Sequence, residues 1–373
     1  MTSSQAITAI IERHRIEKIG YLPCDRLQFL FAELQRKIPI RHLTRECTGI
    51  ALAFGWAMGG QRPAMLIQNT GIGNLVTELV TLPMLYGLPL PLVASWRGHY
   101  KESIEAQSML GERMIPMLQG LRIPVTAVET PDDLGALDEG IRECFEQSTV
   151  RVFLLSPRLW EGEVIGETPE VGSPGMAAVH VSIEGFAGKP ALTRYQAIQT
   201  VMETLGEKDV LVTQIGYPSR EAHAIQDRPR NLYLMGALGS ATLVGMGLAE
   251  ARPDLHVTVL DGDGGFILNP NQMLELSQDC PKNLSVVLLD NGSWGSTGSQ
   301  PTLTSKGLNL AAFGASVGTP PWQRVTNAHE FAKARSRNGQ LVHFLIRPGN
   351  ADVPTITVPA REMARHFQQA IAR

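Results

Sequence analysis

The chain has 373 residues, enough by length for two or three domains that each bury a core of their own. Hydrophobic residues make up 43% and charged residues only 18%, below the usual roughly 25%, which suits large buried sheets and subunit interfaces. A net charge of -3, with no block of like charge, excludes the footprint of a nucleic-acid or membrane-surface binder, so a small molecule is the expected partner.

The first residues, MTSSQAITAIIERHR, lack a basic segment followed by an apolar core, so no secretory signal is expected. Ile7, Ile10, Ile11 and Ile16 recur with roughly helical spacing, and the strand KIGYLPC follows. A second helix and a short strand at 39–43 lead to TRECTGIALAFGWAMGG, a helix closed by Gly59 and Gly60. PAMLIQNTGIGN reads as a strand with a glycine-rich corner, followed by a helix to about Tyr86 and the strand LPLVASWRG. The apolar run at 79–93 is broken by Pro83, Gly87, Pro89 and Pro91, too interrupted for a membrane span. The alternation of strand and helix predicts an α/β fold with doubly wound parallel sheets. A first domain is expected over 1–159 and a glycine- and proline-rich linker over 160–190. A second domain is expected over 191–373. The four cysteines form no CxxC pair and no zinc spacing, as in a cytoplasmic protein with reduced thiols.

The most informative stretch begins at Leu260: LDGDGGFILNPNQMLELSQDCPKNLSVVLLDNGSWGSTGSQPT. It reads as a strand at 256–260, a Gly262-Asp263-Gly264 corner, and a helix capped by Asn269 with Pro270 in its first turn. A second strand at 284–289 then ends in the corner Asp290-Asn291-Gly292. In such a unit both corners lie at the carboxyl ends of neighbouring parallel strands, where open α/β sheets bind ligands. Either corner alone is more often a simple turn. Together they set two hard oxygen ligands, Asp263 and Asn291, across a cleft whose glycines admit a close approach, a pattern that suits magnesium carrying a diphosphate.

Gly262-Asp263-Gly264 with Asn291 resembles the signature of thiamine diphosphate-dependent enzymes. IGYPSRE, NLYLMGALGSATLVGMGLA and DNGSWGSTGSQPT resemble, more closely, sulfopyruvate decarboxylase and phosphonopyruvate decarboxylase, and the resemblance runs over most of the chain. It implies two thiamine diphosphate-binding domains, the first for the pyrimidine and the second for the diphosphate, with no middle domain. It implies that Asp263 and Asn291 hold Mg2+ by their side chains and Ser293 by its carbonyl. It also implies that Ser219 lies near the diphosphate, that the backbone around Gly236 meets the aminopyrimidine, and that Leu238 is the wedge that keeps the cofactor bent. Trp294 and Ser299 depart from the family pattern, where a smaller aromatic or histidine and a glycine are usual.

Glu46 stands in the first turn of its helix, where a carboxylate is favoured by the dipole whatever its function. The resemblance gives it a further role, that of the catalytic glutamate that bonds the aminopyrimidine and promotes its imino form. Asn69, in the glycine-rich corner, is a candidate substrate contact. After the next strand come Arg97, His99, Lys101 and Gln107, of which Arg97 suits bidentate pairing with a sulfonate, phosphonate or carboxylate. Gln107 is carried as a third substrate contact. The activity implied is non-oxidative decarboxylation of an anionic 2-oxo acid. Sulfopyruvate, giving sulfoacetaldehyde on the way to coenzyme M, stands ahead of phosphonopyruvate. A non-catalytic thiamine diphosphate-binding subunit and a carboligase are the rival readings. The resemblance further implies a homodimer or larger assembly, with active sites at the subunit interface.

Overall fold

A computed structural model describes residues 1–164, 188–334 and 339–372. The chain divides into two compact units, Met1–Gly175 and Met176–Arg373. Most of the linker expected at 160–190 falls on 165–187, outside the described residues.

In the first unit, six strands form one parallel sheet in the order β2-β1-β3-β4-β6-β5. They are β1 (Lys18–Tyr21), β2 (Ile40–His42), β3 (Pro63–Gln68), β4 (Leu90–Ser95), β5 (Val125–Val128) and β6 (Val150–Leu155). The central strands PAMLIQ and LPLVAS are buried almost throughout, as unbroken apolar runs must be when helices cover both faces of a sheet. The helix Glu46–Met58 is buried at every position except its first, Glu46. A helix so largely apolar belongs inside, and its first residue, Glu46, is left beside the corner that follows β3.

The second unit repeats the plan. Its strands are β7 (Asp209–Thr213), β8 (Asn231–Tyr233), β9 (His256–Gly262) and β10 (Leu284–Asp290), then the two-residue strands β11 (Ser293–Trp294) and β12 (Gln300–Pro301), and β13 (Trp322–Val325) and β14 (Gln340–Leu345). Apart from the small antiparallel β11–β12 hairpin, they make a parallel sheet in the order β13-β14-β10-β9-β7-β8. Numbered from one within each unit and without the hairpin, both sheets read 2-1-3-4-6-5. The doubly wound fold expected from the strand and helix alternation is therefore present twice. The helix Ala241–Ala251 is buried except at Glu250, and Gly245 lets it lie against β9, where an added Cβ would sit 2.1 Å from Val259. By contrast, Ala360–Ile371 buries one stripe: Ala360, Met363, Ala364, Phe367 and Ile371.

Register fixes the site. Leu289 on β10 lies opposite Gly262 on β9, so Asp263 and Asp290 leave the sheet side by side and Asn291 follows. Around this corner one expectation is corrected. Asn269 caps no helix: the helix Asp263–Leu268 starts directly at the Gly-Asp-Gly corner, and a separate helix, Asn271–Gln278, starts after Pro270. Asn269 sits in the break and donates from Nδ2 to the Gly239 carbonyl at 3.1 Å. Among the described residues, no helix is long and apolar enough to cross a membrane.

Candidate active site

At the carboxyl ends of β7, β9 and β10, the second unit encloses a cavity of about 320 Å³. Gln214, Tyr217, Leu238, Asp263, Asn291 and Trp294 are among its walls, together with Gly262, Gly264 and Ser293. This is the crossover point of the sheet, where the chain turns from one direction of strand order to the other. Two glycines keep the floor low. An added Cβ on Gly264 would lie 2.7 Å from the Trp294 ring, and one on Gly265 would lie 2.3 Å from Gln214 Oε1. Gln214 is held there by the Gly262 N–H, which donates to Oε1 at 2.9 Å. Leu238 is carried on a tight corner in which Ala237 (φ 53°) and Gly239 (φ 88°) both adopt left-handed backbone; for alanine that conformation costs about 1 kcal/mol or more.

Asp263 is 3% exposed. Its Oδ2 accepts from Thr302 Oγ1 at 2.5 Å, and the single proton of Thr304 Oγ1 is shared between Asp290 Oδ1 at 2.9 Å and Asp263 Oδ2 at 3.2 Å. Asp290 is paired in turn with the buried His343, Nε2 to Oδ2 at 2.7 Å. Burial opposes its ionisation, but the hydrogen bond and charge of His343 hold Asp290 below the usual carboxylate range. Asp263 shifts the other way: burial first, and then the charge of Asp290, push its carboxyl up. Asp263 has hydroxyl and backbone N–H donors but, among the described residues, no cation beside it, so a divalent cation there would offset both its burial and the charge of Asp290. The Oγ of Ser293, also in the wall, is buried with no hydrogen-bond partner among the described residues. Among the described residues, no group of three or more His, Cys, Asp or Glu could hold a metal by itself. A cation here would draw on Asp263, an amide oxygen, a backbone carbonyl and ligand oxygens, the hard donors that Mg2+ favours. The cavity, its glycine floor and the uncompensated carboxylate fit a magnesium-bound diphosphate.

In the first unit, half-buried Glu46 lies against the corner Asn69–Asn74 that follows β3. Asn74 Nδ2 donates to Glu46 Oε2 at 3.2 Å, and an added Cβ on Gly71 would sit 2.3 Å from Oε1. The carboxylate thus occupies space that only glycine leaves. Asn69, fully buried, bonds the Arg97 backbone at both ends, Oδ1 to N at 3.1 Å and Nδ2 to O at 2.9 Å. Arg97 is 5% exposed. It makes a two-point pair with Glu102, 2.7 and 3.2 Å, and a third contact from Nη1 to Asp25 at 2.9 Å. The Arg97 hydrogen bond depresses Glu102 to about 2. Gln107 accepts from Gln68 at 3.3 Å beside this group, whereas His99 pairs with Glu129 and Lys101 with Glu161.

Leu238, Gly262, Asp263, Gly264, Asn291 and Ser293 thus share one cavity in the second unit. Ser219 and Gly236 are not among its walls. Ser219 Oγ is pinned behind it by Thr213 Oγ1 at 2.7 Å and the Gln214 carbonyl at 2.8 Å. Glu46, Asn69, Arg97 and Gln107 belong to the first unit. Sequence reading misses Arg194, Gln214 and Tyr217 in the cavity wall and His343 beneath it. The only prior signal for Arg194 is Thr193 with Gln196 three residues on, a capping box that starts its helix.

A low-floored cleft at the carboxyl ends of a parallel sheet, with a buried carboxylate and an amide at adjoining strand ends, defines a diphosphate-binding α/β protein. The family described as thiamine pyrophosphate enzyme, C-terminal TPP binding domain, matches residues 214–346. The chain is 33% identical over 377 residues to a sulfopyruvate decarboxylase of Methanosarcina acetivorans, covering 98% of this chain and 97% of that protein. It is 30% identical over 367 residues to a phosphonopyruvate decarboxylase of Streptomyces viridochromogenes, covering 95% and 91%. Its fold is similar to that of benzoylformate decarboxylase from Polynucleobacter necessarius, with a TM-score of 0.72 at 12% identity over 94% of this chain and 99% of that one. The chain belongs to the sulfopyruvate and phosphonopyruvate decarboxylase family of thiamine diphosphate-dependent carboxy-lyases.

Proposed function

We propose that the protein converts 3-sulfopyruvate to sulfoacetaldehyde and carbon dioxide, a step towards coenzyme M, with thiamine diphosphate and Mg2+. The observation that carries this reading is the cavity of the second unit, in which a buried, cation-deficient Asp263 shares the walls with Asn291 and Ser293. Similarity along almost the whole chain supports sulfopyruvate as the substrate. When bound, thiamine diphosphate supplies the electron sink that accepts the charge left as carbon dioxide departs. Asp263, Asn291 and the Ser293 carbonyl hold the metal, Gly262 and Gly264 admit the diphosphate, and Leu238 and the backbone near Gly236 shape the site for the pyrimidine. Ser219 serves indirectly, by bracing the corner that carries Tyr217. Glu46 holds a proton at its carboxyl for the aminopyrimidine nitrogen, the acid–base task for which a carboxylate, and not an amide, is needed.

For the substrate's anionic end we propose Arg97, with Asn69 fixing its backbone and Gln107 beside it. Glu102 is buried and stays in place, whereas Asp25, whose side chain is 62% exposed, is the partner an incoming sulfonate displaces from Nη1. We further propose a cytoplasmic homodimer or larger assembly with active sites at the subunit interface, and domains at 1–159 and 191–373. The free cysteines support the compartment, and burial pushes the Cys47 thiol up to about 11 and Cys144 to about 12, which keeps them inert.

The test is carbon dioxide release from 3-sulfopyruvate and from phosphonopyruvate, side by side, with and without thiamine diphosphate and Mg2+. Cofactor-dependent turnover of sulfopyruvate in preference to phosphonopyruvate is the expected result. The phosphonopyruvate reading, which the second relative supports, takes over if the preference is reversed. Cofactor binding with no turnover of any 2-oxo acid would mean a non-catalytic subunit and would overturn the proposal.

A further inference from the structure

Arg194 opens the helix Arg194–Met202, fixed at its first position by the Thr193 and Gln196 capping box. Its side chain is 8% exposed and forms a two-point pair with Glu221, which is fully buried: Nε to Oε2 at 2.9 Å and Nη2 to Oε1 at 2.8 Å. Nη2 also donates to Asn350 Oδ1 at 2.8 Å, and the Ala351 N–H donates to Glu221 Oε1 at 3.1 Å. The Tyr217 ring flanks the guanidinium at 5.1 Å. Every part of this group is tied down except Nη1, which carries no hydrogen bond among the described residues. Arg194 lines the same cavity as Asp263 and Asn291. A Cβ added to Gly295 would lie 3.7 Å from Nη1 and 3.6 Å from Asn291 Nδ2, which places Nη1 beside the Asn291 corner.

A rigid, nearly buried guanidinium with one nitrogen unused and facing a cleft is organised to receive an anion. Phosphate oxygens match its planar donors better than a lysine's point charge would. We propose that Arg194 is a binding residue for the diphosphate of the cofactor, with Glu221 and Asn350 as the residues that position it. This rests on the diphosphate reading of the cavity given above. The difference between the cofactor's diphosphate and the substrate's own anion is decided by experiment.

Removing Arg194 alone strands a buried carboxylate, so the principal variant is the neutral pair Arg194→Gln with Glu221→Gln, with Arg194→Lys as the second. Binding of thiamine diphosphate, of thiamine and of inorganic pyrophosphate to the full chain with Mg2+ is measured by calorimetry, with thermal melting alongside. Loss of one charge-assisted hydrogen bond is expected to weaken thiamine diphosphate and pyrophosphate together, by roughly ten- to a hundred-fold in the paired variant, and to leave thiamine unchanged. Arg194→Lys, which keeps the charge, is expected to lose about ten-fold and supplies the answer if the paired variant does not fold. Equal weakening of thiamine and thiamine diphosphate would reduce Arg194 to a structural role and overturn the proposal. So would unchanged diphosphate affinity with a raised KM for the oxo acid, which would assign the anion to the substrate. Failure of the unmodified protein to bind thiamine diphosphate would instead sink the cofactor reading itself.

Discussion

The two units share a strand order, yet they use the same corners in opposite ways. Asn69 and Arg97 follow the third and fourth strands of the first sheet, just as Asp263 and Asn291 follow the third and fourth of the second. In the first unit the crevice between these corners is closed: the Asn69 side chain bonds the Arg97 backbone from both ends, and Arg97 is neutralised by Asp25 and Glu102. In the second it stays open, floored by glycine, with a carboxylate left short of positive charge. One topology therefore supplies a clamp in one place and a receptacle in the other, and side chains at a few strand ends make the difference. Fold alone would not separate the two.

Substitutions at those corners test the comparison. Asp263→Ala should have the largest effect, a fall of about a thousand-fold or more in turnover with loss of metal-dependent cofactor binding, read by calorimetry and carbon dioxide release. Glu46→Gln should fold and bind cofactor, and should lose about a hundred-fold or more in turnover; full activity would remove Glu46 from the mechanism. Asn69→Ala opens the closed corner and takes the Asn69 amide from the Arg97 carbonyl, while the Arg97 N–H keeps the Ser95 carbonyl at 3.2 Å, so it should cost roughly 1 to 2 kcal/mol of stability in urea unfolding. A cost near zero would mean that the clamp is incidental.

Glu102 gives the pH dependence. Its carboxyl is held at about 2 by the Arg97 hydrogen bond, below an ordinary value of about 4.3. The unfolded chain therefore binds the proton more readily, and the pair's contribution is full above about pH 4.3 and lost as pH falls towards 2. Glu102→Gln should be less stable than the parent by on the order of 1 kcal/mol at pH 6, with the gap closing near pH 2. Smallest is Ser299→Gly in the β11–β12 hairpin. Ser299 has φ 60°, the left-handed backbone that glycine adopts freely. The substitution should stabilise by about 0.5 to 1 kcal/mol, seen as a small rise in Tm.

Asp263 and Asn291 are legible in the sequence because local geometry suffices: each stands at the end of an apolar strand, and neighbouring parallel strands bring their carboxyl ends together. Glu46 stands out less: local geometry gives it only the ordinary preference of a carboxylate for a helix start, and its proposed role comes from the resemblance. Arg194, Asn350 and His343 are not, because their partners are 27 to 156 residues away and no spacing announces them. The segment after Leu308 carries no chemical signature in its sequence, yet it supplies His343 to Asp290 and Asn350 to Arg194. Asn269 misleads in the other direction. An asparagine before a proline is a common helix start, but here the Gly-Asp-Gly corner begins the helix itself and the cap position falls in a break. Arg97 reads from sequence as a candidate partner for the substrate anion, and only tertiary packing reveals that Asp25 and Glu102 pair with it.

Each unit is a contiguous length of polypeptide with its own buried centre, and the two follow one another on a single chain. Every ribosome that completes the first must therefore complete the second, so the clamp and the receptacle are synthesised in equal number. Stoichiometry, which separately encoded halves would have to balance through expression, is here written into covalent connectivity.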